Sequence, residues 1–166
     1  MTTSYVGHAL KYGDNINTDI ISPPQYMELP IEQAAKYAMH AIDPDFYKKV
    51  TPDTIMVAGN NFGSGSSRET SPQVLKYLGI KVIVARSFAR IFYRNAINLG
   101  IWPVTCCEAD CIGTGDQIVV DLANGTITNQ TKNEAYQCEK FPPLIYDLVE
   151  GGGLYESLRR NTARGK

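Results

Sequence analysis

Between residues 54 and 104 the chain alternates short apolar runs with stretches of helical periodicity, and no other feature narrows the fold as far. Residues 54–58 (Thr-Ile-Met-Val-Ala) form an apolar run that suits a buried strand. Residues 67–78 carry helical spacing and stop at Gly79, and residues 81–85 (Lys-Val-Ile-Val-Ala) form a second strand. Ser87 stands where a cap would open a helix running to Leu99, with Phe88, Ile91, Phe92, Ala96 and Leu99 at core spacing. Gly100 ends that helix, and residues 101–104 make a third strand. Strands separated by whole helices pair in parallel, with right-handed crossovers, because an antiparallel pair needs only a hairpin.

The flanks are less regular. Residues 6–12 alternate weakly and read as an opening strand, followed by the polar turn Gly13-Asp14-Asn15-Ile16-Asn17-Thr18-Asp19. Pro23-Pro24 forces extension, and a helix is expected near residues 31–41, with Ile31, Ala34, Ala35, Ala38 and Ile42 on one face. Residues 117–122 and 125–129 flank the hairpin signal Asn124-Gly125. Gly151-Gly152-Gly153 separates two helical pieces. The expectation is an α/β fold over residues 1–166 as one domain, an α/β layer joined to a small antiparallel sheet. At this length a core needs neither disulfide nor metal.

A formal net charge of -1 provides no field for nucleic acid or an anionic membrane surface. No run approaches the ~18 apolar residues of a membrane span. The first residues lack the basic and apolar regions of a signal peptide, which makes the cytoplasm the expected location. Cys106, Cys107, Cys111 and Cys138 match no zinc or iron–sulfur spacing and read as reduced thiols, so no metal is expected on this chain. His8 and His40 have no partner pattern and read as structural.

The most informative segment is Gly63-Ser64-Gly65-Ser66-Ser67-Arg68-Glu69, between a buried strand and a helix. Its glycines let the backbone turn sharply, and amides at a helix start, with the positive end of the dipole, favour an anion. Arg68 adds a planar fork that suits a carboxylate. Walker A is excluded because no Lys-Ser/Thr follows the second glycine, and the dinucleotide fingerprint because Arg68 replaces its third glycine. A nucleophile elbow cannot be read here either. The residues alone leave two readings open, a serine-capped helix after a tight turn and a carboxylate site. Arg90 and Arg94, one turn apart, are structural arginines or a support for this loop.

Residues 57–69, Val-Ala-Gly-Asn-Asn-Phe-Gly-Ser-Gly-Ser-Ser-Arg-Glu, resemble the signature of the mobile domain of the aconitase superfamily. Residues 85–98, Ala-Arg-Ser-Phe-Ala-Arg-Ile-Phe-Tyr-Arg-Asn-Ala-Ile-Asn, resemble a second signature of that superfamily. Residues 12–19, Tyr-Gly-Asp-Asn-Ile-Asn-Thr-Asp, are similar to the opening signature of isopropylmalate isomerase small subunits. The likeness continues through Phe141-Pro142-Pro143 and Gly151-Gly152-Gly153-Leu154, nearly end to end.

The resemblance implies a swivelling β/β/α three-layer domain that closes over a partner. That partner is a large subunit, in a heterodimer or heterotetramer, holding a [4Fe–4S] cluster whose open iron acts as Lewis acid on a departing hydroxyl. It implies a hydro-lyase that dehydrates or isomerises an alkyl-substituted malate, foremost isopropylmalate in leucine biosynthesis. Dimethylmalate and homoaconitate are alternatives, as is a non-catalytic anion-binding module. Carried over residue by residue, Ser66 is the catalytic base, Arg68 the carboxylate clamp, and Ser67 and Ser64 its hydrogen-bonding companions. The pattern departs at Thr70, where many members have histidine, so any acid–base role of that histidine is absent. Specificity varies after the opening signature, here Tyr26, Met27 and Glu28. Members that take a third carboxylate commonly place an arginine there, and this segment has none. Arginine introduced at Met27 or Glu28 should therefore lower catalytic efficiency on alkyl malates relative to carboxylate-bearing ones. A ratio that stays fixed in an active enzyme would show that the segment does not read the substrate.

Overall fold

The structure, a computed structural model, describes residues 4–66 and 70–164. It opens with β1 (Ser4–Lys11), followed by three one-turn helices, α1 (Thr18–Ile21), α2 (Ile31–Ala34) and α3 (Phe46–Lys49). The predicted alternation then appears as β2 (Thr54–Ala58), α4 (Thr70–Leu78), β3 (Val82–Ala85), α5 (Arg90–Leu99) and β4 (Trp102–Thr105). A meander of β5 (Gln117–Asp121), β6 (Thr126–Asn129) and β7 (Glu134–Gln137) precedes α6 (Pro143–Glu150) and α7 (Leu154–Arg164).

All seven strands belong to one sheet, in the order β4-β3-β2-β1-β5-β6-β7. The first four are parallel, in register through Leu10 with Met56, Met56 with Ile83, and Ile83 with Pro103. β1 is the turning point: its other edge pairs antiparallel with β5, setting Gly7 opposite Ile118. Gly7 lies so close to the Asp53 carbonyl that any Cβ would collide with it. The antiparallel strands continue the parallel sheet edge to edge, and this is how the expected small antiparallel sheet is joined to the α/β layer.

β2 and β3 are buried on both faces, as their unbroken apolar runs require. Met56, Ala58, Ile83 and Ala85 pack with Ile21, Ala35, Phe46, Val74, Leu75 and Phe92 beneath the helices. Ile55, Val57, Val82 and Val84 share the opposite cluster with Ile118, Ile127 and Tyr136 of the meander and with Tyr146 of α6. The sheet thus curls until its own antiparallel half covers the second face. Its far end reaches the edge strand β4: the Glu139 N–H donates to the Thr105 carbonyl at 2.9 Å, and the Cys106 thiol to the Gln137 carbonyl at 3.3 Å.

Three expectations need correction. The helix at 31–41 is broken into α2 and a 3₁₀ turn at Ala35–Tyr37. Met39 then adopts φ 61°, and its N–H turns back to the Ile21 carbonyl. Ala34, Ala35 and Ala38 are buried as expected, but Ile42 is 47% exposed because the face it was meant to continue has ended. Ser87 does not cap α5, which starts at Arg90; its hydroxyl oxygen accepts the Asn61 N–H at 2.7 Å instead. On α5, Phe92 and Ala96 are buried as read, whereas Ile91 is 48% exposed and Ile97 takes a core place. β7 was not foreseen, since only Tyr136 of its four residues is buried.

Glu139 is the costly group in this closure. Its Oε2 accepts the Tyr93 hydroxyl at 2.8 Å, while Oε1 is buried without a partner among the described residues. Burial pushes its pKa above the ordinary range, against the Tyr93 hydrogen bond that favours the carboxylate. Because the folded-state pKa is the higher one, the contribution to stability is full below the unfolded value and lost as pH rises through the folded one. Glu139→Gln should therefore gain in melting temperature relative to wild type as pH is raised from 4 to 8. A difference that does not change with pH would show that the buried carboxylate carries no such cost.

Candidate active site

The three signature segments leave the carboxyl ends of β1, β2 and β3, the end of an α/β sheet where ligand sites form. They are joined there by hydrogen bonds. The Gly59 N–H donates to the Gly13 carbonyl at 3.1 Å, Asn15 to Asn60 at 2.8 Å and Gly63 to Ile16 at 2.7 Å. The Asp14 carboxylate accepts the Asn60 N–H at 2.7 Å, and a Cβ on Gly59 would collide with that carboxylate. From the third segment, Ser87 accepts Asn61 through its hydroxyl, and the Phe62 N–H donates to the Ser87 carbonyl at 3.0 Å. The Ala89 N–H returns to the Phe62 carbonyl at 2.9 Å.

Beneath the loop lies an aromatic floor. Phe62 meets Phe92 and Phe88 edge-on at centroid distances of 5.1 and 5.9 Å, and Phe88 meets Tyr93 at 6.0 Å. Gly63 sits against this floor at φ +83°, and any side chain there would strike the Phe92 ring. Both its left-handed backbone and its contact therefore demand glycine.

The loop is closed by Thr18, which is 2% exposed. Its N–H donates to the Ser64 carbonyl at 2.8 Å, and its Oγ1 accepts the Ser66 N–H at 3.0 Å. Its carbonyl accepts the Ser71 hydroxyl at 3.3 Å. Asn17 beside it caps α1, its side chain accepting the Ile20 N–H at 2.8 Å. The first residue of the opening signature is anchored too. The Tyr12 hydroxyl donates to Asp43 at 2.6 Å, and Lys49 approaches the same carboxylate at 2.9 Å. Burial, then the Asp43 hydrogen bond, pushes the Tyr12 hydroxyl well above its ordinary pKa. Burial works against Asp43 as well, yet its bonds from Tyr12 and Lys49 outweigh it and hold its pKa below the ordinary value.

Of the residues singled out from sequence, Ser64 and Ser66 lie in this loop, Ser64 half-buried and Ser66 exposed. Ser67, Arg68 and Glu69 lie outside the described residues, and Thr70 begins α4. Tyr26 ends a 3₁₀ turn and stacks on Tyr37 at 3.7 Å, while Met27 and Glu28 are exposed. Arg90 and Arg94 are both exposed on α5. Arg86 is engaged elsewhere, paired with Asp110 at 2.9 Å. Sequence reasoning did not single out Thr18, Asp14 or Ser87 for roles here. Their presence in the signatures at 12–19 and 85–98 was the available signal, but the contacts that use them are long-range.

Two of the four thiols, Cys106 and Cys138, are poorly suited to ligate an iron–sulfur cluster. Burial raises the pKa of Cys106, and it pushes Cys138 up to about 12, so neither is inclined to the thiolate that ligates iron. No group of three or more histidine, cysteine or acidic side chains converges for a metal among the described residues. Among them, too, no helix is long and apolar enough to cross a membrane.

Residues 9–109 match the family described as the aconitase C-terminal domain, a span containing all three strand-end loops. The 3-isopropylmalate dehydratase small subunit of Methanosarcina mazei is 43% identical over 155 residues, covering 93% of this chain and 96% of the relative. That of Brachyspira hyodysenteriae is 46% identical over 157 residues, covering 93% and 96%. The crystal structure of 3-isopropylmalate dehydratase (leuD) from Methanocaldococcus jannaschii superposes with a TM-score of 0.91 at 40% identity, covering 98% of this chain and 97% of that one. The fold, the joined signatures and these end-to-end likenesses agree: the chain belongs to the aconitase C-terminal domain family and, within it, to the 3-isopropylmalate dehydratase small subunits.

Proposed function

We propose that the chain is the small subunit of a cytoplasmic hydro-lyase that interconverts 3- and 2-isopropylmalate in leucine biosynthesis, working as one domain with a large subunit. The names of its relatives support the reaction and the heteromeric partner. In this family the iron–sulfur cluster belongs to the large subunit, in keeping with the burial of Cys106 and Cys138, which disfavours their thiolates. The observation that carries the reading is the hydrogen-bonded union of three signatures at one end of the sheet, with Ser66 at its exposed rim.

Within this reading Arg68 grips a substrate carboxylate through its guanidinium, aided by Ser67 and Ser64. Ser66 Oγ takes the proton from the carbon beside that carboxylate and returns it when water is added back. A serine hydroxyl ionises far above neutral pH, so its alkoxide needs fixed positive partners. The Ser66 N–H is already committed to Thr18. Arg68 and the remaining amides at the head of α4 are the groups assigned to hold the alkoxide. Tyr26, Met27 and Glu28 bound the side of the site that receives the alkyl group. The lack of a cation among them supports an alkyl substituent over a third carboxylate.

Ser66→Ala, assayed in the enzyme assembled with its large subunit, should lower kcat by ~10²–10⁴-fold, the usual loss for a positioned base. KM and melting temperature should stay near wild type. Near-normal turnover would remove Ser66 from the chemistry.

A further inference from the structure

Resting on the assignment of Ser66 as the base, we propose that Thr18 is the positioning residue that sets Ser66, holding the serine loop in its working shape through one side-chain hydroxyl. Thr18 grips the loop on both sides of Gly65, the Ser64 carbonyl through its N–H and the Ser66 N–H through Oγ1, at 2.8 and 3.0 Å. Its carbonyl takes the Ser71 hydroxyl, which ties the same residue to the first turn of α4. One residue thereby links the entry to the loop, its tip and the helix beyond it.

The local chemistry is matched to this task. Gly65 stands at φ +109°, and a Cβ there would lie 3.0 Å from Thr18 Oγ1, so glycine allows the hydroxyl its approach. Threonine, branched at Cβ, keeps few χ1 choices and so aims its oxygen in a fixed direction. It is buried, and it sits on α1 between the Asn17 cap and the core residue Ile21. Ser66 is exposed, and among the described residues Thr18 is the side chain that holds its backbone. Loss of Oγ1 frees the Ser66 amide while leaving the backbone bond to Ser64 in place, so the loop is loosened at the reacting residue alone.

The test compares Thr18→Val, Thr18→Ser, Ser66→Ala and wild type, each assembled with the large subunit and assayed on isopropylmalate. Valine keeps the shape and removes the acceptor; serine keeps the acceptor. Thr18→Val should lose roughly 10- to 100-fold in kcat with KM unchanged, since misplacing a reacting group by about 1 Å costs on that order. Thr18→Ser should recover most of the turnover, and both should melt close to wild type. Wild-type kcat in Thr18→Val beside an inactive Ser66→Ala would sink this inference alone. Normal turnover in Ser66→Ala would overturn the assignment of the base and this inference with it. Equal losses in Thr18→Ser and Thr18→Val would count against the hydroxyl. If Thr18→Val does not fold, Thr18→Ala replaces it. Failure of both while Thr18→Ser folds would make Thr18 a folding residue and overturn the proposal.

Discussion

Everything in this fold follows from strands that are apolar on both faces. β2 and β3 expose no polar edge to water on either side, so each face must be covered by something equally apolar. α4, α5 and the short helices serve one face, with Val74, Leu75 and Phe92 set against Met56 and Ile83. An ordinary doubly wound domain would place more helices on the other. Here the sheet supplies its own cover, β5 to β7 bending round until Ile118, Ile127 and Tyr136 meet Val57 and Val84. That leaves the carboxyl ends of the parallel strands open, and three loops meet there with their backbones already satisfied by one another.

What could be read from the sequence divides along the range of the interactions. β2, β3 and β4 were legible because a short apolar run with a glycine near one end is a local signal that the tertiary fold only confirms. The helix at 31–41 was misread because alanine spacing describes which side is buried and not whether the chain is continuous. Ala34, Ala35 and Ala38 are all buried, yet the backbone turns away at Met39. Ser87 was misread for a sharper reason. A serine before a helix looks like a cap, but the Asn61 amide, 26 residues earlier, claims the same oxygen.

The site shows the same division. Glycine, serine and arginine in sequence made the loop visible and suggested an anion, whereas Thr18 was only one letter of an upstream motif. Its contact with Ser66 spans 48 residues, and no local pattern encodes it. The glycines are a partial exception. Gly59 and Gly63 each mark a point where another group, Asp14 or Phe92, lies too close for a side chain, and Gly65 at φ +109° marks a tight approach to Thr18. A glycine inside such a motif is thus a negative image of a neighbour, although the sequence does not say which one.

The central place of β1 has a consequence for how the chain reaches this state. Its parallel neighbour is β2, but the strand on its other edge arrives only with Gln117–Asp121, so that Gly7 and Ile118 must find each other across most of the chain. On a ribosome, β1 to β4 and their helices can gather first, with one edge of β1 still bare. A bare edge is a template for another chain, and this one carries Val6, more than half exposed even in the finished fold. The meander that later covers the sheet therefore also ends a period of vulnerability during synthesis. Non-local pairing of this kind is slow to form. The edge of β1 stays bare until β5 has emerged to pair with it.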